Sequence, residues 1–204
     1  MVTTSASTAE ASPRVGYPEL TDYLTSVAHA YERAQHTPID PSTIHAYGAL
    51  KTELWAQFQV LQAFVRVTFT EHDPYGSSQE MFESIAHGSL SVYGNTRGVP
   101  IDHPLAGMAP NGQIFNNIFR AVHDGLAHYP ERNSFSMKGE FKAYLAHCRL
   151  LSHDAQRALF TETVGQNAWY HFGPMSTLGG KVFAEQKATL LPFSLFDNSK
   201  GVTP

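Results

Sequence analysis

Apolar residues recur at three- and four-residue spacing along most of the chain, and prolines and glycines divide the pattern into segments. Thr21 caps a first helix through "DYLTSVAHAYERAQH", which stops before Pro38. Pro41 and Ser42 open a longer helix through "TIHAYGALKTELWAQFQVLQAFVRVTF", carried by Leu50, Leu54, Phe58 and Leu61. "HDPYGS" is a turn, broken by Pro74 and Gly76. Ser78 caps "QEMFESIAHG", which Gly88 terminates. Residues 89–112 read mostly as loop, with a short strand about Leu90 to Tyr93. A central helix spans 113–128, and the loop "YPERNSFSMKG" leads to the helix "EFKAYLAHCRLL". Ser152 caps "HDAQRALFTETVGQNAWYHF", ended by Gly173-Pro174, and "GGKVFAEQKATLLP" forms a last helix stopped by Pro192.

This pattern predicts a mainly all-α fold: one helical-bundle domain over residues 17–192 with two long irregular connections. Such connections are uncommon in compact domains and are often functional. The Ser/Thr/Ala-rich residues 1–16 are expected to be disordered, and residues 193–204 to form a loosely held tail.

Composition narrows the class. The 204 residues suit one domain, and 42% hydrophobic residues supply a core. A net charge of -4, with no clustered Lys or Arg, argues against an extensive nucleic-acid surface. The single Cys148 excludes a disulfide scaffold and fits a reducing, cytoplasmic setting; a buried inert thiol is its expected role. No secretory signal and no apolar run near 18 residues is present, so no membrane span is expected. Eleven histidines are the unusual feature, because imidazole is the commonest metal ligand.

Their placement supplies the candidate chemistry. On a central helix Asp124 and His128 share one face, Arg120 lies one turn earlier, and His123 sits a quarter-turn round. Glu140 and His147 are two turns apart with Tyr144 between them, roughly 10 Å along the axis, a spacing that serves a metal pair more comfortably than one ion. Glu162 and Gln166 form a third pair, flanked by Asn167 and Trp169. Three helices that each carry acid, amide or imidazole on one stripe resemble bundle metal sites, and histidine with carboxylate suits iron, zinc or manganese. The plainer reading of Arg120, Asp124 and His128 is a solvated salt-bridged stripe. Against it, the 113–128 helix is apolar nearly all round, so unpaired charges there would cost several kcal/mol each.

The remaining polar residues carry weaker signals. His153-Asp154 suits a helix start, His72-Asp73 a turn, and His103 a loop that reaches the pocket edge. Glu53 is a fourth-helix carboxylate or a solvated neighbour of Lys51. Gln186 and Lys187 are second-shell partners or an exposed edge.

The segments "NNIFRAVHDGLAH", "KGEFKAYLAH", "TETVGQNAWYHFGP" and "FAEQKATLLP", in this order, resemble a family of uncharacterised phage-encoded and metagenomic proteins over about residues 72–192. Its polar motif positions match Asn117, Arg120, His123, Asp124, His128, Glu140, His147, Glu162, Gln166, Asn167, Gln186 and Lys187 here. The chain departs at Gly125, Leu126 and Ala127, where the family has an aromatic residue and a glycine. An acid and a histidine seven apart, with Asp-x-x-x-His, are similar to ligand patterns of haem-oxygenase-like di-iron oxidases. Adjacent His-Asp is similar to the HD phosphohydrolases, for which His87 and Asp154 would complete the set.

Three functions follow as expectations. The first is a di-iron oxidase or oxygenase acting on a small or nucleotide-like substrate. Its ligands would come from His123, Asp124, His128, Glu140, His147 and Glu162, with Arg120, Tyr144 and Gln166 as catalytic or orienting groups and Asn117, Asn167, Gln186 and Lys187 behind them. The second is an HD-like nucleotide phosphohydrolase with a divalent metal, in which Arg120 and Lys187 neutralise phosphate. The third is a non-enzymatic phage structural or host-interaction protein whose polar network only fixes the fold.

Overall fold

Asp40 sets the start of the longest helix. Its carboxylate accepts from Ser42 N and Thr43 N, and Pro41 stands at the first helical position, where a missing N–H loses nothing. The structure, a computed structural model, describes residues 19–94, 99–174, 185–202 and 204. Residues 1–16 lie outside the described residues, as does the first part of the expected last helix.

Eight α-helices occur among the described residues: α1 (Leu20–Arg33), α2 (Pro41–Gln62), α3 (Ser78–Ala86), α4 (Phe115–Val122), α5 (Met137–Cys148), α6 (His153–Phe160), α7 (Gln166–Phe172) and α8 (Phe193–Asn198). The chain is therefore mainly α-helical, as its periodicity predicts. α2 lays Leu50, Leu54 and Phe58 against α6 and α4, while α1 packs Leu24, Val27 and Tyr31 against α7 and the turn before it. Cys148 is buried, and burial pushes its thiol up to about 11, which suits an inert core thiol. No helix among the described residues is long and apolar enough to cross a membrane.

The chain departs from the expected elements in three places. The second helix stops at Gln62 rather than running through Phe69. Residues Arg66–Thr70 form a strand, β1, whose β-branched and aromatic side chains favour the pleated backbone. It pairs in parallel with β2 (Ser89–Tyr93) across the α3 crossover, from Arg66↔Ser89 to Thr70↔Tyr93. Residues 185–192, expected as helix, are irregular. Their backbone is claimed by neighbours: Lys187 N donates to Tyr31 Oη, Ala188 N to His36 Nδ1, and Thr161 Oγ1 donates to Thr189 O. The expected loose tail is also packed. Phe196 is buried against Phe160, and Tyr23 Oη donates to Leu195 O at 2.6 Å.

Two helices widen into π turns. α4 continues as the π turn His123–His128, and α6 as Thr161–Gly165 before α7 begins. Such widened turns are rare and gather at functional sites. Each holds a glycine hard against a neighbouring helix. A Cβ on Gly125 would lie 2.6 Å from Leu61 Cδ1, and one on Gly165 would lie 2.8 Å from Tyr31 Cδ2. Leu61 can swing away, but the buried Tyr31 ring cannot. Gly165→Ala is therefore expected to lower unfolding free energy by about 1–3 kcal/mol through overpacking, despite alanine's better helix propensity. Urea unfolding of the two proteins measures it; an equal or more stable variant would show that the ring yields.

Candidate metal centre

The first π turn decides which side chains meet. In an α-helix, residues five apart point about 140° away from each other. The i→i+5 ladder, seen in Tyr129 N donating to Asp124 O at 3.1 Å, brings His123 and His128 onto one side. Both rings reach Glu140 of α5: His123 Nε2 lies 3.7 Å and His128 Nε2 3.4 Å from Glu140 Oε2. The three ligand atoms lie within 4.8 Å of one another. Donors on one tetrahedral ion stand roughly 3.4 Å apart at metal–ligand distances of about 2.1 Å, so the spacing suits a metal ion.

The surrounding hydrogen bonds fix where the protons are. Gln57 Nε2 donates to Leu150 O at 2.9 Å, which leaves Gln57 Oε1 to accept from His147 Nε2 at 3.0 Å. His147 Nδ1 is then a lone pair, and it accepts from His123 Nδ1 at 3.3 Å. His123 Nε2 is in turn a lone pair; it is buried and has no hydrogen-bond partner. His128 Nδ1 donates to Asn133 O at 2.9 Å, and Asn133 is itself anchored by its Nδ2 donating to Ala127 O at 3.1 Å. In its neutral form, His128 also turns a bare Nε2 toward Glu140. Two imidazole lone pairs thus face a carboxylate oxygen, an arrangement that repels unless a cation lies between them. Outer hydrogen bonds of this kind orient ligating histidines in metal sites.

Burial lowers His123 below the usual imidazole range, and burial with the neighbouring imidazoles lowers His147 well below it. Burial also opposes charge on His128, but Glu140 and Asp124 together raise it. Burial alone would raise Glu140; hydrogen bonds from His123 and His128 and their positive charge, in the forms that turn a proton toward it, outweigh that and hold it down at about 2. Asn167 Nδ2 approaches the same Oε2 at 3.4 Å, the outer role expected of it.

Beside the cluster lies a half-open pocket of about 180 Å³. His123, Arg120 and Asp124 line it from α4 and its π turn, and Tyr75, Tyr93 and Phe135 contribute aromatic walls. Asp124, expected as a ligand, does not join the cluster: the π turn carries it round to the pocket wall, where burial pushes its carboxyl up to about 7. Arg120 stays on the pocket side too. Its Nη1 donates to Tyr93 O at 2.9 Å and its guanidinium lies over the Tyr93 ring.

The other expected site residues go elsewhere. His147 is not a ligand in this arrangement, because Gln57 and His123 occupy both its ring nitrogens. Glu162 belongs to a second buried network. It accepts from Tyr47 Oη, from Gln166 Nε2 at 2.8 Å, and faces His103 Nε2 at 3.2 Å. Gln166 is consequently bound to Glu162 rather than facing the pocket, and Gln186 bridges it to Asn116. Tyr144 is a core residue whose hydroxyl pairs with Ser199 Oγ at 2.9 Å. Asn117 is tied to Gln113. Lys187 caps the end of α1, with Nζ donating to Tyr31 O, Glu32 O and Ala34 O. For the HD pattern, His87 bonds the Glu83 carbonyl and Asp154 pairs with His45, both exposed.

Sequence reasoning missed Gln57, Asn133, Tyr47 and Asn116. Gln57 and Tyr47 carried a readable signal: each is a polar-tipped residue next to a core position of α2. Asn133 and Asn116 carried none, because only the folded chain brings them to their partners.

The two networks are separable by mutation. Glu162→Ala would leave the buried Tyr47 hydroxyl, the Gln166 amide and His103 without their acceptor, so a loss of about 2–5 kcal/mol in urea unfolding is expected. Metal uptake by the refolded variant should be unchanged; loss of uptake would place Glu162 in the metal centre after all.

Compared with family models, curated proteins and solved structures, the chain matches none.

Proposed function

We propose that this protein is a divalent-metal-dependent enzyme whose single ion is held by His123 Nε2, His128 Nε2 and Glu140. The observation that carries this reading is the pair of imidazole lone pairs aimed at a buried carboxylate, fixed by the Gln57–His147–His123 relay and by Asn133. Two imidazoles and one carboxylate are the donor set of mononuclear non-haem iron sites and of catalytic zinc sites, both of which keep positions open for substrate or water. An ion there supplies a positive centre that polarises a bound oxygen or, if it is iron, a redox couple.

In this reading one ion replaces the expected metal pair, since His147 and Glu162 are hydrogen-bonded elsewhere and Asp124 faces the pocket. We favour an iron-dependent oxidase or oxygenase over a hydrolase. The two histidines are buried, Glu140 is half-buried, and His123 borders a small, aromatic-walled pocket, which suits containment of reactive chemistry, while the adjacent His-Asp ligand pair of the HD reading does not form. In this reading the chain's own residues do three things. Gln57 and His147 orient His123, Asn167 steadies the Glu140 carboxylate, and Arg120 and Asp124 position substrate beside the centre.

Elemental analysis of untagged protein from metal-supplemented cultures is the test. About one equivalent of iron, manganese or zinc is expected, falling sharply in Glu140→Gln and His128→Gln with unchanged circular dichroism. Folded wild-type protein that retains and takes up no divalent metal would end the proposal. Gln57→Leu frees the His147 tautomer and is expected to weaken metal affinity by about 10–100-fold; chelator competition reads that loss.

A further inference from the structure

The pocket beside the cluster has walls of opposite charge. Arg120 and Asp124 are four apart, one turn along the same face, with Cβ atoms about 5–6 Å apart in helical geometry. Both line the pocket and attract each other through charge, but without direct contact: among the described residues no carboxylate lies within 4.0 Å of the Arg120 guanidinium. That guanidinium makes one hydrogen bond, to Tyr93 O, which leaves most of its five N–H donors unused. The Asp124 carboxylate makes no hydrogen bond among the described residues. Among the described residues the other carboxylate on the wall is Asp73, which also acts on Arg120 through charge. It sits at the exposed rim, where it accepts from Tyr75 N. Tyr75, Tyr93, Phe119 and Phe135 supply the apolar remainder.

A simple anion would meet Arg120 but also the nearby Asp124, and a simple cation would meet the reverse. A molecule carrying both charges a few ångströms apart satisfies both walls together. The volume, about 180 Å³, equals that of about six waters and admits roughly ten non-hydrogen atoms, more where it opens to solvent.

We propose that this pocket binds a small α-amino acid with an apolar or aromatic side chain, its carboxylate on Arg120 and its ammonium on Asp124. The ring or chain then lies against the Tyr and Phe walls, and the carboxylate end comes beside His123 at the edge of the metal cluster. Only the fate of the bound molecule rests on the metal-centre reading; recognition itself needs no metal.

Calorimetric titration of metal-free and metal-loaded wild-type protein with three matched probes tests this: L-phenylglycine, its amide, which lacks the carboxylate, and phenylacetate, which lacks the ammonium. Phenylglycine should bind at least about tenfold tighter than either analogue, the factor expected when a charged hydrogen-bond partner is lost. Arg120→Gln should erase its advantage over the amide, and Asp124→Asn its advantage over phenylacetate. Equal binding of all three probes to the wild type, or no binding, overturns the proposal without any variant needing to fold. If the ordering holds in protein that takes up no metal, amino-acid recognition stands while the metal centre falls. If metal binds and the ordering fails, the metal centre stands and this assignment falls.

Discussion

Three electron pairs converge in the dry interior of this protein, and that convergence organises everything near it. A buried carboxylate facing two bare imidazole nitrogens is unfavourable in a low-dielectric interior, where like partial charges are poorly screened. A proton on His128 relieves it in part, consistent with the raised basicity of His128 and the strengthened acidity of Glu140. A divalent ion relieves it more fully and releases that proton on binding. The outer hydrogen bonds matter because they close the cheaper escape. If His123 and His128 were free to flip tautomers, both would donate to Glu140 and the site would be an ordinary buried ion pair. Gln57, itself fixed by the Leu150 carbonyl, forbids this for His123 across two rings.

The backbone makes that convergence possible at some cost in regularity. An uninterrupted α-helix would present Asp124 and His128 together and turn His123 aside. The π turn exchanges them, so that His123 enters the cluster and Asp124 moves to the pocket wall. A second π turn, two helices further along the chain between α6 and α7, places Glu162 against Tyr47 and Gln166. Both widened turns are braced by a glycine pressed on a neighbouring helix, Gly125 on Leu61 and Gly165 on Tyr31. The bundle therefore holds two polar knots, one gathered on Glu162, which accepts from Tyr47 and Gln166, the other with the lone pair of His123 Nε2 left unmatched. The first ties α2, the π turn after α6 and residues 185–189 together, and the second is the cluster to which the proposed chemistry is assigned.

Much of this was legible in the sequence, and the misses have physical causes. Helical spacing at Leu50, Leu54, Phe58 and Leu61 located α2 and its buried stripe, and the cap residue Ser152 marks a real helix start. Charged and imidazole side chains at 120–128 and 140–147, set within apolar helices, pointed to the region that forms the cluster. What spacing could not provide was the pitch of the turn carrying His123 and His128, since the whole α-helical argument presumes about 100° per residue. That presumption grouped Asp124 with His128 and drew Glu162 into the same centre. Likewise Lys187 looked like a functional cation because sequence cannot show that three carbonyls at the end of α1 wait for it.

The same geometry explains why the pocket and the cluster belong together. They share His123, whose ring lines the pocket wall while its Nε2 turns toward Glu140. One widened turn of backbone thus presents alternating sides to two environments: His123 and His128 to the dry cluster, Asp124, with Arg120 one turn before it, to the half-open cavity. A shift of one residue in that ladder would exchange the two sets and destroy both at once. The turn is consequently the element on which the proposed binding and chemistry would jointly depend, and its integrity rests on Gly125 fitting beneath Leu61 and on Asn133 holding His128 from outside.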